Sequence, residues 1–109
     1  MKQSFERIKN IMDDNRIKVV SVMKNKVWIS KDSEKFEETQ MHFNDEEVYQ
    51  LINSISKGFR REPNEQNPIW RGLTPSGFIT DIVMPPVSFD GPVITIYREE
   101  LFSENFYSY

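Results

Sequence analysis

The side chains able to do chemistry in this 109-residue sequence are arginines, carboxylates, serines and a single histidine, His42. A metal or acid-base role for His42 would call for partners at ligand spacing, such as a second histidine or a cysteine, and the chain has neither. His42 is expected to be a half-exposed residue near a helix start. The carboxylates Asp45-Glu46-Glu47 and Glu99-Glu100 could be imagined as an acid-base pair or a magnesium site. Adjacent residues on one element diverge, however, and acids at a helix start are expected because they face the positive end of its dipole. Ser30, Ser54, Ser56 and Ser76 lack the Gly-x-Ser-x-Gly frame of an exposed nucleophile, and one histidine is no evidence of a triad. No catalytic residue and no metal ligand is expected.

The arginines carry more information. Arg60-Arg61 follow a helical pattern, where they could meet phosphate, an acidic neighbouring subunit, or solvent beyond a helix C-terminus that favours cations anyway. They open a polar stretch, RREPNEQN (60–67), longer than most connections, and long loops are where sites gather. Trp70-Arg71 come directly after it. Arg60, Arg61, Trp70 and Arg71 are therefore the expected interface residues, while Trp28 is expected to pack in the core, as large rings do in small domains.

Composition bounds what those residues can be part of. With 14 Lys+Arg against 17 Asp+Glu, a net charge of −3 gives no field that would gather nucleic acid or anionic lipid. The absence of cysteine excludes a disulfide framework and a thiolate zinc site. The N-terminus, MKQSFERIKN, lacks the apolar stretch of a signal peptide, and no run is long and apolar enough to insert in a membrane. The expected location is the cytoplasm, and the length is that of one domain with one core.

The elements that must position these residues are legible from periodicity. Ser4, Phe5, Ile8 and Ile11/Met12 have the cap and spacing of a short helix over 4–13, ended by Asp13-Asp14-Asn15. Residues 17–23 and 27–30 read as strands joined by a tight turn at Lys24-Asn25-Lys26, and a third strand over 36–41 completes an antiparallel meander. Asn44 caps a helix over 44–59, with Glu47 three positions on as a capping box and Val48, Leu51, Ile52, Ile55 and Phe59 as its apolar stripe. A second hairpin joins 69–73 to 78–84 through Thr74-Pro75-Ser76-Gly77, with Gly77 at a position of positive φ. Pro85-Pro86 stops that strand, Asp90-Gly91-Pro92 turns the chain, and 93–98 is the last strand. The expected class is α+β: a small antiparallel arrangement of about six strands, in one or two sheets, with two helices over one face. Val20, Val22, Trp28, Ile82, Val83, Ile94 and Ile96 join the helix stripe as core candidates.

The order of these elements, with Arg60-Arg61, Pro68, Pro75-Ser76-Gly77, Val83-Met84-Pro85-Pro86, Asp90-Gly91-Pro92 and Thr95-Ile96, resembles one family. It is the N-terminal domain of the hexameric ATPases of the type II/type IV secretion superfamily, in particular the tight-adherence (Flp) pilus-assembly branch. Val22-Met23, Asn25 and Val27-Trp28-Ile29 also resemble that family's first hairpin, and the likeness covers roughly residues 8–98. The resemblance implies a noncatalytic domain, 1–98, that forms one tier of a hexameric ring and closes over nucleotide held by a following ATPase domain. Residues 99–109 would be a tail or linker stub, and the domain would sit in the cytoplasm or at the inner face of the cell membrane. ATP and magnesium would come only through that ATPase domain, because no Gly-x-x-x-x-Gly-Lys-Ser/Thr occurs here and this chain alone could not hydrolyse ATP. Its partner would be the ATPase domain of the same or a related chain, within a homo-oligomer.

Two departures bear on the nucleotide. The family usually places an arginine two residues after the glycine matching Gly77 and another just after the pair matching Thr95-Ile96. Here those positions are Ile79 and Tyr97, neither of which has the guanidinium fork suited to phosphate. Arg98 is the remaining nucleotide candidate, though strand alternation points it away from Tyr97. The expectation from a different class is a free-standing protein-binding module of the immunity or adaptor type, using the acidic helix start and exposed aromatics to hold a partner, while the tail aromatics Phe102, Phe106, Tyr107 and Tyr109 are expected to dock on the domain's own sheet rather than on a missing partner segment.

Overall fold

The computed structural model describes residues 3–32, 34–57, 59, 61–73 and 77–98. Within them the chain forms α1 (Gln3–Met12), β1 (Val19–Met23), β2 (Lys26–Ser30), β3 (Glu37–His42), α2 (Asp45–Ser56), β4 (Ile69–Leu73), β5 (Phe78–Val83) and β6 (Val93–Arg98). All six strands share one sheet in the order β3-β2-β1-β6-β5-β4, with every neighbouring pair antiparallel. This is the expected α+β class. The meander of β1, β2 and β3 and the β4–β5 hairpin are local pairings, and β6 enters between β1 and β5 to join them.

Both helices pack on the same face of the sheet, where period-2 alternation places Val20 and Val22 of β1, Val27 of β2, Ile82 of β5, and Ile94 and Ile96 of β6. Against them lie Ile8 and Met12 of α1 and the expected stripe Val48, Leu51, Ile52 and Ile55 of α2. Two core expectations need correction. The register pairs Val22 with Val27, so Trp28 turns to the helix-free face and is only half-buried. By the same alternation Val83 is half-buried, while its neighbours Ile82 and Met84 take the core positions.

Local chemistry sets the element ends. Lys24 and Asn25 adopt φ of 51° and 68°, the left-handed pair of a two-residue hairpin loop whose twist matches its strands. At α2 the capping box is complete: the Glu47 amide donates to Asn44 Oδ1 at 2.8 Å, and the Asn44 amide donates to Glu47 Oε1 at 2.9 Å. The helix stops at Ser56 rather than continuing to 59, because Lys57 has ψ of 128°. Phe59 thereby leaves the helical stripe, while Gly58 lies outside the described residues. At the other helix, Ser4 is a buried residue within α1 rather than its cap. Gly77 has the expected positive φ, 86°, and Thr74-Pro75-Ser76 fall outside the described residues.

One arginine ties the two helices together. Arg7 donates from Nη1 to Glu47 Oε2 at 3.2 Å and from Nη2 to the His42 carbonyl at 2.9 Å, with its guanidinium 4.3 Å from the Phe43 ring centre. A cation over an aromatic face, with its fork shared between a carboxylate and a carbonyl, fixes the angle at which α1 meets α2. His42 itself is exposed, and only its carbonyl takes part.

Candidate functional site

Strand alternation divides the sequence-flagged residues between the two faces. Trp70 and Arg71 are neighbours on β4, yet Trp70 points to the helix face and is 7% exposed, while Arg71 points to the helix-free face. The indole is held from three sides. Its Nε1 donates to the Arg61 carbonyl at 2.8 Å, and the Phe59 ring meets it edge-on at 5.1 Å between centres. Its far edge lies over Gly72, where a Cβ would come within 2.4 Å of the ring. The glycine exists to let the ring fold down over its own strand. In doing so Trp70 anchors Arg61, in the polar connection after α2, to β4.

On the helix-free face the register lines up Arg71, Asp81, Thr95, Ser21, Trp28 and Glu38, one from each strand across the sheet. Arg71 holds Asp81 with both arms of its fork, Nε to Oδ1 at 2.5 Å and Nη2 to Oδ2 at 3.0 Å. The Tyr97 hydroxyl donates to the same Oδ2 at 3.1 Å. The hydrogen bond to Asp81 raises the Arg71 pKa above its ordinary value, and burial followed by the Asp81 charge raises that of Tyr97. Ile79 and Tyr97, the positions where the resemblance implies arginines, are direct cross-strand partners one step along the same face. The arginine of this neighbourhood is therefore Arg71, on the next strand, and its charge is met by Asp81.

Arg98 takes the opposite face, as alternation requires. Its Nε donates to the Ile17 carbonyl at 3.1 Å, and its Nη2 donates to the carbonyls of Asp14, at 3.2 Å, and Met12. Its guanidinium also lies 5.7 Å from the Phe78 ring centre. These carbonyls belong to the α1 C-terminus and the turn after it, where a cation is favoured by the helix dipole. Arg98 thus joins the end of the last strand to the end of the first helix.

Arg61, Trp70 and Arg71 do converge, but around a sheet edge rather than on a face: with Phe59 and Ile69 they line a groove of about 380 Å³ along β4. Arg61 donates from Nη2 to Asn67 Oδ1 at 3.1 Å. Arg60 lies outside the described residues. The sequence reading missed Asp81 and Gly72, although the β4–β5 turn gives a usable signal: counting outward from it pairs Arg71 with Asp81. It also missed Phe89, whose ring is 98% exposed at the tip of the loop between β5 and β6. That loop is braced by Val87 and Ser88 amides donating to the Met84 carbonyl and, from the β1–β2 loop, by a Lys24–Asp90 ion pair of 3.4 Å.

Among the described residues no group of three or more His, Asp or Glu side chains gathers as a metal site would need, and no helix is long and apolar enough to cross a membrane. No family model matches the sequence, and no curated protein matches it. The fold is nonetheless one found in secretion ATPases. One solved neighbour is the VirB11 ATPase of the Brucella suis type IV secretion system, crystallised in complex with sulphate, with a TM-score of 0.76. The match covers 99% of this chain and 36% of that one at 18% identity, so the chain spans about a third of the neighbour's length and the likeness is one of fold. As a likeness of fold it does not single out the tight-adherence branch.

Proposed function

We propose that this chain is a noncatalytic assembly domain of the kind that precedes the ATPase domain in hexameric secretion and pilus-assembly ATPases, with the tight-adherence branch as its place among them. The observation that carries this reading is the TM-score of 0.76 over 99% of the chain to a secretion ATPase three times its length. The order of sequence signposts from Pro68 to Ile96 supports it independently of the fold. In this role the domain forms one tier of a cytoplasmic ring and closes over ATP bound by the ATPase domain, by hinge motion at the segment after Arg98.

The nucleotide contacts would differ from the family pattern. Arg98 could reach a phosphate only by leaving the carbonyls of Met12, Asp14 and Ile17, so its role in this reading is to fix α1 at the root of the hinge. Arg71 could do so only by exchanging Asp81 for the phosphate. Closure would then be driven by domain contacts more than by phosphate capture.

The test is to mix the chain with a secretion-type ATPase domain encoded beside it, and to measure binding calorimetrically and the ATP hydrolysis rate. Binding with an altered rate is the expected result. Absence of both, with no phosphate-loop ATPase encoded in frame or nearby, overturns the reading.

A further inference from the structure

A second groove lies between α2 and the ends of two connections. Tyr49, Ile52 and Asn53 form one wall from a single helix face, Pro63-Asn64-Glu65 form another, and Met84-Pro85 close it where β5 ends, around about 310 Å³. Ile52, Pro63 and Met84 are buried and make an apolar floor, whereas Tyr49 is 46% exposed at the rim. The chain's own hydrogen bonds hold these walls. Asn64 and Asn67 exchange backbone bonds of 3.1 and 3.0 Å, and Asn64 Oδ1 accepts from the amides of Gln66 at 2.8 Å and Asn67 at 2.9 Å. The Met84 amide donates to the Pro68 carbonyl at 2.7 Å, tying the end of that connection to the end of β5. A groove shaped before anything enters it spares a ligand the cost of ordering its walls.

The charge of this groove has one sign. Among the described residues Glu65 lines it and no lysine or arginine does. Other carboxylates of the domain meet cations: Glu47 pairs with Arg7, Asp81 with Arg71 and Asp90 with Lys24. Among the described residues neither the Glu65 carboxylate nor the Tyr49 hydroxyl has such a partner. The apolar surface continues onto the loop that starts at Pro85, where Val87 and Phe89 are exposed. Tyr49 also borders a hollow with Asp90, Gly91 and Pro92, so its ring joins the groove to that loop.

We propose that this groove docks a segment of another protein that carries arginine or lysine beside apolar side chains. Charge complementarity selects this occupant. A guanidinium entering the groove gains cation–π attraction from the Tyr49 ring and a charge-assisted hydrogen bond from Glu65, while leucine-type side chains beside it cover Ile52, Met84 and Pro85. A nucleic acid or an anionic membrane would meet Glu65 with the wrong sign. The inference goes beyond the secretion-ATPase reading and does not rest on it, because it uses only the shape and charge of this chain's own surface.

The test titrates the isotope-labelled 109-residue chain, in solution NMR, with a short acetylated and amidated peptide of leucine, arginine and glycine, and with its counterpart in which glutamate replaces arginine. Saturable amide shifts at Tyr49, Asn53, Glu65 and Met84 are expected with the arginine peptide, at a Kd of about 1 mM, and none with the glutamate peptide. Tyr49→Leu keeps the apolar wall and removes the ring, and Glu65→Gln removes only the charge; each should weaken binding about threefold. Unchanged amide shifts at β1 and β6 show that either variant is still folded. Absence of saturable shifts with the arginine peptide overturns the proposal, as do equal responses to the two peptides or undiminished affinity in both variants. Shifts at these four residues that grow with protein concentration alone also overturn it, because the occupant would then be a second copy.

Discussion

At one edge of the sheet β3 shows water Glu37, Glu38 and Gln40, and its register against β2 shifts between Lys26 and Trp28. At the other edge β4 shows Ile69 and Leu73 in unbroken register. The β3 edge is also closed by side chains: Thr39 Oγ1 donates to the Val27 carbonyl at 2.8 Å and accepts from the Met41 amide at 3.1 Å, while Lys26 and Glu38 pair at 3.5 Å. Charge and irregular register are how an edge is made unattractive to further strands. The same sheet therefore has one edge faced with charge and one faced with apolar side chains, and the candidate groove lies along the second.

The contrast can be broken most severely at Trp70. Trp70→Ala should cost about 3–5 kcal/mol, as large aromatic truncations in cores do, and free the connection after α2, measured by urea unfolding and by exchange at 61–68. Gly72→Ala attacks the same contact from beneath by lifting the ring off the strand. It should cost about 1–3 kcal/mol, with loss of the indole N–H shift that marks the bond to the Arg61 carbonyl. Arg98→Met leaves both edges intact but strips a charged donor from three carbonyls, and about 2 kcal/mol with fraying of the α1 end is expected in thermal unfolding.

Two gentler changes sharpen the comparison. Ile69→Lys gives β4 an exposed charge of the kind β3 already has, and because Ile69 is 67% exposed, stability in urea unfolding should change by less than about 0.5 kcal/mol. At the β3 side, backbone N–H groups of Lys35 and Glu34 hold the Asp32 carboxyl below its usual 3.8 in the turn leading into the strand. The unfolded chain then binds that proton more readily than the folded one, so the turn's contribution is present above 3.8 and is lost as pH falls through the depressed value. Amide exchange at Glu34 and Lys35 should rise over that acid range, with the β4 edge unaffected.

Much of this was legible before the fold was seen, wherever local rules governed. The Asn44/Glu47 capping box, the positive φ at Gly77 and the opposed faces of Tyr97 and Arg98 each follow from backbone sterics or strand alternation within a few residues. Trp28 shows the limit. An aromatic in a β-rich stretch reads as core, but which of Val27 and Trp28 turns inward depends on a register set by the Lys24-Asn25 loop. Trp70 shows another limit: its burial depends on Phe59 leaving α2, on the Arg61 carbonyl and on the space above Gly72, three contacts that periodicity does not encode. The candidate site was half legible, because Arg61, Trp70 and Arg71 were singled out as a group while their arrangement around an edge was not.

By itself the sequence determined the α+β class, the order and approximate extent of eight elements, the caps and turns between them, and the loss of arginine at Ile79 and Tyr97. Those features are set by interactions between near neighbours, so they can be read along the chain. The tertiary structure decided that β6 lies between β1 and β5, that Arg98 closes the end of α1 eighty-odd residues away, that Arg71 and Tyr97 both answer to Asp81, and that β4 rather than β3 is the edge with exposed apolar side chains. Each of these is a contact between segments distant in sequence, fixed only when the sheet chooses its strand order and buries one face against the helices.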